Sequence, residues 1–412
     1  MSGDTGASSS GASGGAEGRP RLHVFAFEEA EGFGGAFVDL AHIATALRER
    51  GVAVTIARSW DDPAWKALSD AGCVLKSHTR PELADRLRRH LEAGSAQVGS
   101  LRSRVDRVAR LGLYGAEQLA VALPLGLRYG AWAKRNGVTH MFCNNGFAHN
   151  TSALVAGRVA GANVLSYQQG ESDGSGGHHR LLPLVDHLFC VSAYIHQVEQ
   201  RLAPEVAARS SVLYPGVHLP KAEDAAPRTG DGRVRVGMVG MLTPWKGQLA
   251  FIDAMAQVMA ARPEVDGLLF GRPLATQADY PRLISERIEA HGLAHRFQVV
   301  SDRSRPEDIY PHLDISVHCS LLPEPFGRVV IEAMSFGRPV IAADRGGPRE
   351  VVSPDVGARA NPEDTESLAA AILRLTDDRD LRHAMGAAAR AKVTAEFTYP
   401  AVLRPLMKRL EL

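Results

Sequence analysis

The sequence predicts an α/β protein made of two doubly wound domains that face a central cleft. Three observations predict it. Short apolar strands alternate with helix-period segments through both halves of the chain. The first such run reads strand, Gly-rich loop, helix, strand, which is a βαβ unit. The polar, Pro- and Gly-containing stretch HLPKAEDAAPRTGDG (218–232) then interrupts the alternation, which restarts beyond it. A chain of 412 residues, 45% hydrophobic, is also too long for one core.

Taken in order, residues 1–19 are Gly, Ser and Ala with little apolar bulk, and read as a disordered tail. They have no basic n-region or hydrophobic h-region, so they are not a signal peptide. The first domain is expected over 20–217. LHVFAF (22–27) is its first strand, and AFVDLAHIATALRERG is a helix that stops at Gly51. VAVTIAR (52–58) is the next strand. Residues 81–135, rich in Leu and Arg, read as mostly helical. THMFCN (139–144), NVLSYQ (163–168), HLFCVS (187–192) and SVLYPGV (211–217) read as strands, with a helix near 150–160. After the linker the second domain is expected over 233–397. VRVGMVG (234–240), DGLLFG (266–271), RFQVVS, ISVHCS (315–320) and RPVIAAD (338–344) are its strands, with helices between them. In such sheets ligands sit at the carboxyl ends of strands, so the loops there carry the function.

Composition excludes several classes. A net charge of +1 argues against a nucleic-acid partner. No apolar run approaches ~18 residues, so no membrane span is expected. Cys73, Cys143, Cys190 and Cys319 are far apart, without zinc spacing, and read as reduced and buried in a cytosol.

Three loops offer chemistry. GFGG (32–35) lacks the third glycine of a dinucleotide fingerprint, and the second strand ends in Ala57-Arg58-Ser59 without an acid for a ribose. Gly34 and Gly35 still permit close backbone approach at a helix N-terminus, which suits an anion. In MLTPWKGQ (241–248), Lys246 follows a strand and precedes a helix, where it can meet a phosphate as a point charge. In PEPFGRVVIEA (323–333), Pro325 delays the helix to Gly327 or Arg328. Glu324 then lies in the loop and Glu332 about one turn into the helix. The N–H groups of Gly327, Arg328 and Val329 form the helix start. Two acids around an anion site suit a ligand with hydroxyls, a diphosphate and a ribose. Each hydroxyl–carboxylate bond is worth roughly 1.5–3 kcal/mol. That describes a nucleotide sugar.

PEPFGRVVIEAMSFGRPVIAADRGG resembles the E-x7-E signature of retaining glycosyltransferases of the GT-B fold, family 4. GMVGMLTPWKGQ, EGFGGAFVDLAHIATALRERG, DHLFCVSAYI, VLYPGV and GGPRE resemble further segments of that family, and the similarity covers about residues 21–400. The resemblance implies that Glu324 holds donor-sugar hydroxyls and Glu332 the ribose. It implies that Lys246, Gly34, Gly35 and the Phe326-Gly327-Arg328-Val329 segment bind the diphosphate. It implies front-face transfer without metal or other cofactor, and a C-terminal helix, about 398–412, that packs back onto the first domain. Asp61-Asp62 and Asp377-Asp378 then read as surface acids rather than metal ligands.

Two positions depart from the family pattern. Met241 stands where an Arg is usual, so either Arg328 or Arg272 is the replacement cation or donor affinity is lower. Gln169 stands where a His is usual near the reacting carbon, and His149 in FCNNGFAHN is a possible substitute. His178-His179 could contact an acceptor. NTS at 150–152 carries no meaning without a secretory signal.

The expected protein is a cytoplasmic, retaining glycosyltransferase with two Rossmann-like domains. Its donor is a nucleotide sugar, UDP-linked by base rate. Its acceptor is a carbohydrate, a lipid-linked sugar or a small molecule, the lipid case bringing weak peripheral contact with the inner membrane face. Two alternatives are a nucleotide-sugar 2-epimerase of the same fold and a degenerate nucleotide-sugar binder.

Overall fold

The computed structural model describes residues 22–28, 35–78, 121–172, 180–226, 231–303 and 305–412. Among them, two parallel sheets form. The first contains β1 (His23–Glu28), β2 (Ala53–Arg58), β3 (Val74–Ser77), β4 (His140–Cys143), β5 (Asn163–Gln168), β6 (His187–Cys190) and β7 (Ser210–Val212), in the order β3-β2-β1-β4-β5-β6-β7. Its flanking helices are α1 (Gly35–Glu49), α2 (Trp65–Asp70), α3 (Leu123–Arg135), α4 (Thr151–Ala160) and α5 (Ala193–Leu202). A short helix, α6 (Ala222–Ala225), follows. The second sheet contains β8 (Val234–Val239), β9 (Val265–Phe270), β10 (Phe297–Val300), β11 (Ile315–His318), β12 (Val340–Ala343) and β13 (Gly357–Ala360), in the order β10-β9-β8-β11-β12-β13. Around it lie α7 (Gln248–Ala261), α8 (Tyr280–Ala290), α9 (Pro306–Ile309), α10 (Arg328–Ser335) and α11 (Pro348–Val351). The chain continues as α12 (Thr365–Asp377), α13 (Arg379–Glu396), α14 (Tyr399–Val402) and α15 (Arg404–Arg409).

The central strands are unbroken apolar runs because both faces are covered. Val24, Phe25, Ala26 and Phe27 are all buried, as are Val340 to Ala343. Three helix starts carry side-chain caps: Ser192 accepts from the Ile195 N–H, Asp364 from Ser367 and Asp378 from Leu381. In each sheet the strand order reverses once, between β1 and β4 and between β8 and β11. Crevices open at such reversals, at the carboxyl ends of the strands.

Three expectations are corrected. The strand expected over 211–217 ends at Val212, with a last backbone bond from the Leu213 N–H to the Cys190 carbonyl at 2.8 Å; residues 214–217 leave the sheet, and Val217 bridges Thr398 instead. The linker at 218–232 holds the helical turn α6. β3 and β13 are strands that the sequence reading did not identify; at β3 the residues are mostly exposed or half-buried, and apolar alternation is weak. Most of the helical stretch expected at 81–135 lies outside the described residues, with α3 as its described end. The chain end lies on the first domain: the Tyr399 ring stacks on His42 of α1 with centroids 3.9 Å apart. All four cysteines are free and buried.

Helices α3 and α4 cross closely because α3 presents glycines. A Cβ on Gly130 would lie 2.5 Å from Val159 Cβ, and one on Gly126 2.6 Å from Val155 Cβ. Helix propensity alone favours Ala over Gly by ~1 kcal/mol. The contact reverses that sign. Gly130→Ala is expected to lower the urea unfolding midpoint; a raised midpoint would mean that the helices separate at little cost.

Candidate functional site

The crevice of the second sheet is built from the loops after β8 and β11. Gly247, with φ of 80°, caps α7 and lies against the end of β11. A Cβ there would sit 2.1 Å from the Cys319 carbonyl oxygen, so only glycine fits. That approach carries Lys246 inward, where it is 9% exposed. Its Nζ lies 2.7 Å from Glu324 Oε1 and 4.2 Å from the Trp245 ring centroid. His318 Nε2 is 2.6 Å from Glu324 Oε2, and Ser320 Oγ donates to the same oxygen at 2.7 Å. Burial opposes the charge on Glu324, but His318 and then Lys246 outweigh it and hold the carboxyl well below the usual carboxylate range.

The downstream glycine pair fixes the backbone of Glu324. Gly346 has φ of 63°, and a Cβ on it would lie 2.4 Å from the Glu324 carbonyl oxygen. The Gly347 N–H donates to that oxygen at 2.8 Å. Gly327, with φ of 84°, caps α10. Arg328 and Val329 therefore sit in its first turn, where N–H groups have no intrahelical partner and the helix end is positive. Glu332 Oε2 accepts from Tyr310 Oη at 3.1 Å, and its Oε1 is 3.8 Å from Arg328 Nε. So Glu324, Lys246, Gly327, Arg328, Val329 and Glu332 share one end of the second sheet.

Two residues are engaged differently from the expectation. The Phe326 ring is buried against Tyr214 and Phe397, with centroids 5.7 and 6.0 Å away, so only its backbone can meet a ligand. The Arg328 guanidinium is turned away from the Lys246 loop. It crosses to the first domain, with Nη1 2.5 Å from Asp39 Oδ1 and Nη2 3.4 Å from the Gly216 carbonyl. Gly35 opens α1 beside it, where a Cβ would be 3.0 Å from Arg328 Cδ. Gly34 lies outside the described residues, as do His178 and His179. Arg272 is exposed next to the Met241 loop, but its Nε donates to the Ser301 carbonyl at 3.2 Å, toward the end of β10. Met241 itself is 48% exposed.

Sequence reasoning missed a second tie between the sheets. Glu350, from the GGPRE loop, accepts from the Ala193 and Tyr194 N–H groups at the start of α5, at 2.9 and 3.4 Å, and from Tyr214 Oη at 3.1 Å. Burial raises its pKa. Its partners are over 130 positions away, and no local pattern marks them. In the first sheet, Gln169 donates to Asn144 Oδ1 at 3.1 Å, whereas His149 is exposed just before the α4 cap. Asp61 pairs with Arg58, Asp377 with Arg262, and Asp378 caps α13. Among the described residues no cluster of ligating side chains could hold a metal ion, and no helix is long and apolar enough to cross a membrane. A groove of about 540 Å³ on β8–β10 is lined by Arg233, Arg235, Asp266 and Arg296. Its arginines are engaged already, Arg233 by Asp266 and Arg296 by backbone carbonyls.

Residues 221–392 match the family Glycosyl transferases group 1. This span is the second sheet with its helices. Over 166 residues the chain is 35% identical to the GDP-mannose-dependent monoacylated alpha-(1-6)-phosphatidylinositol monomannoside mannosyltransferase of Corynebacterium glutamicum, covering 38% of this chain and 42% of that one. It is 32% identical over 176 residues to the D-inositol 3-phosphate glycosyltransferase of Corynebacterium diphtheriae, 42% and 40% of the two chains. The chain spans about half the length of the curated relatives it matches. Solved structures match nearly end to end. The Anabaena protein HepE, crystallised with UDP and glucose, superposes with TM-score 0.73 at 22% identity, covering 95% of this chain and 99% of that one. A Rickettsia africae glycosyltransferase gives TM-score 0.76 at 18% identity, covering 95% and 98%. The fold is GT-B.

Asp39 gives the interface a pH signature. Burial pushes its carboxyl from 3.8 up to about 7, against the pull of Arg328. Between those values the folded protein holds a proton that the unfolded chain has lost, so this group's contribution to stability falls as pH rises to about 7. The stability of wild type relative to Asp39→Asn is therefore expected to be greater near about pH 5 than near about pH 8, by urea unfolding. An equal gap at both would contradict a buried, late-titrating Asp39.

Proposed function

We propose that the protein is a retaining glycosyltransferase of family 4, moving a hexose or N-acetylhexosamine from a UDP-linked sugar to a carbohydrate, lipid-linked or small-molecule acceptor. The observation that carries the reading is the buried 2.7 Å contact between Lys246 and Glu324 at the start of α10. A carboxylate held this firmly stays ionised through the physiological range. It is a poor general acid or base, which works best with a pKa near the operating pH. It is a strong acceptor for sugar hydroxyls. Its neighbours supply what a departing diphosphate needs: the Lys246 ammonium and the N–H groups of Arg328 and Val329, fixed before the reaction. Glu332, reached one helical turn later, takes the ribose.

In this reading the protein performs little covalent chemistry. It holds donor and acceptor in line and stabilises the leaving group. The departing phosphate, on the same face as the acceptor, draws off the acceptor proton, which retains configuration. Lys246 and the helix terminus supply the positive charge, so the reading invokes no metal. The curated mannosyltransferase named for GDP-mannose and the HepE crystals with UDP and glucose support a nucleoside diphosphate sugar as the donor class.

The test is nucleoside diphosphate release from UDP-, GDP- and ADP-sugars, with and without chelator, by wild type and Glu324→Ala. One donor is expected to be hydrolysed slowly by wild type and on the order of 100-fold more slowly by the variant. Release that is equal in the two proteins would refute a role for Glu324.

A further inference from the structure

The strand reversal between β1 and β4 opens a second crevice, in the first sheet. Three polar side chains meet there. Glu28 ends β1 and is 2% exposed, Asn144 follows β4 and is fully buried, and Gln169 follows β5 and is half-buried. Asn144 Nδ2 donates to Glu28 Oε2 and, at 3.0 Å, to the Ala36 carbonyl in the first turn of α1. Asn144 Oδ1 accepts from Gln169 Nε2 at 3.1 Å. The Asn144 backbone is held as well: its N–H donates to the Phe27 carbonyl at 3.2 Å, and its carbonyl accepts from Asn150 Nδ2 at 2.5 Å. The next residue, Asn145, has φ of 58°, a left-handed conformation uncommon outside glycine.

The chain of contacts has a direction. A carboxylate only accepts hydrogen bonds, so Glu28 requires the NH2 group of Asn144. Asn144 must then offer Oδ1 to Gln169, and Gln169 must answer with its own NH2. Gln169 Oε1 is what remains. We propose that Glu28 is a positioning residue: through Asn144 it fixes the Gln169 carboxamide with its oxygen toward the crevice, so that the crevice selects a hydroxyl hydrogen-bond donor. The inference rests on the glycosyltransferase reading for the source of that hydroxyl, which is the donor sugar or the acceptor. A lone surface glutamine offers oxygen or nitrogen equally by flipping. Here the flipped state would set two NH2 groups, or two oxygens, against each other.

Glu28→Gln removes one of the two acceptor-only groups that face the Asn144 NH2, leaving the Ala36 carbonyl, and so weakens the hold on the orientation of both amides. The probes are UDP, GDP, UDP-glucose and myo-inositol, with binding measured by calorimetry and saturation-transfer NMR. UDP affinity is expected to be unchanged, which also reports an intact fold. UDP-glucose or myo-inositol is expected to bind about tenfold more weakly, the worth of one hydrogen bond. A loss confined to UDP-glucose assigns the hydroxyl to the donor sugar, and one confined to myo-inositol assigns it to the acceptor. The double variant Glu28→Gln, Asn144→Asp moves the carboxylate one step along and again leaves the Gln169 oxygen outward. It should recover part of the lost affinity; the Ala36 carbonyl loses its donor, so recovery is incomplete. Equal affinities in wild type and Glu28→Gln overturn the proposal, as does a double variant no better than the single one. Wild type that binds neither UDP nor GDP overturns the transferase reading instead. The polarity is then read without ligand: slow solvent exchange of the Asn144 side-chain amide in wild type and fast exchange in Glu28→Gln support it, and equal rates overturn it.

Discussion

The Lys246–Glu324 contact is the constraint around which the second domain is arranged. Lys246 relies on Glu324 to stay buried, and Glu324 is held by His318, Ser320 and Lys246 together, because an unpaired buried ion is strongly destabilising. Three backbone approaches make the pair possible. Gly247 lets the lysine loop lie on the end of β11, and Gly346 and Gly347 lie against the backbone of Glu324 and the residues after it. The Lys-Gly turn, the Pro-Phe-Gly turn and the later Gly-Gly are far apart in sequence, yet they are parts of one contact. Their glycines serve the approach of backbones, and in the proposed function the charged side chains serve the ligand.

The same helix start also joins the domains. Arg328 reaches Asp39 of α1, and Glu350 reaches the start of α5. Both contacts are partly buried, and each links the second sheet to an element of the first. That linkage sets the α10 N-terminus against the opening of α1, which is where the proposed diphosphate would lie. Each sheet thus presents its own strand reversal to the cleft, with Lys246 and Glu324 on one side and Glu28, Asn144 and Gln169 on the other.

Much of this was legible in the sequence. The βα alternation located most strands, and Pro325 placed the start of α10 at Gly327 or Arg328; Gly327 is its cap and Arg328 its first residue. Glu324 and Lys246 stood out because a charged residue just after an apolar strand is at the functional end of the sheet. What could not be read was pairing over distance. The partner of Arg328 is 289 residues away, so its guanidinium looked available for a phosphate. SVLYPGV has strand composition, but only its first residues find a neighbour, and the rest turns toward the chain end. Glu28 gave no signal at all. Its meaning comes from Asn144 and Gln169, which close two other strands.

The most direct test is a structure of the protein with UDP bound. The account predicts a phosphate oxygen within hydrogen-bond reach of Lys246 Nζ and of the Arg328 or Val329 N–H, with the ribose at Glu332. UDP bound elsewhere, such as in the arginine-lined groove on β8–β10, with Lys246 still closed on Glu324, would contradict it.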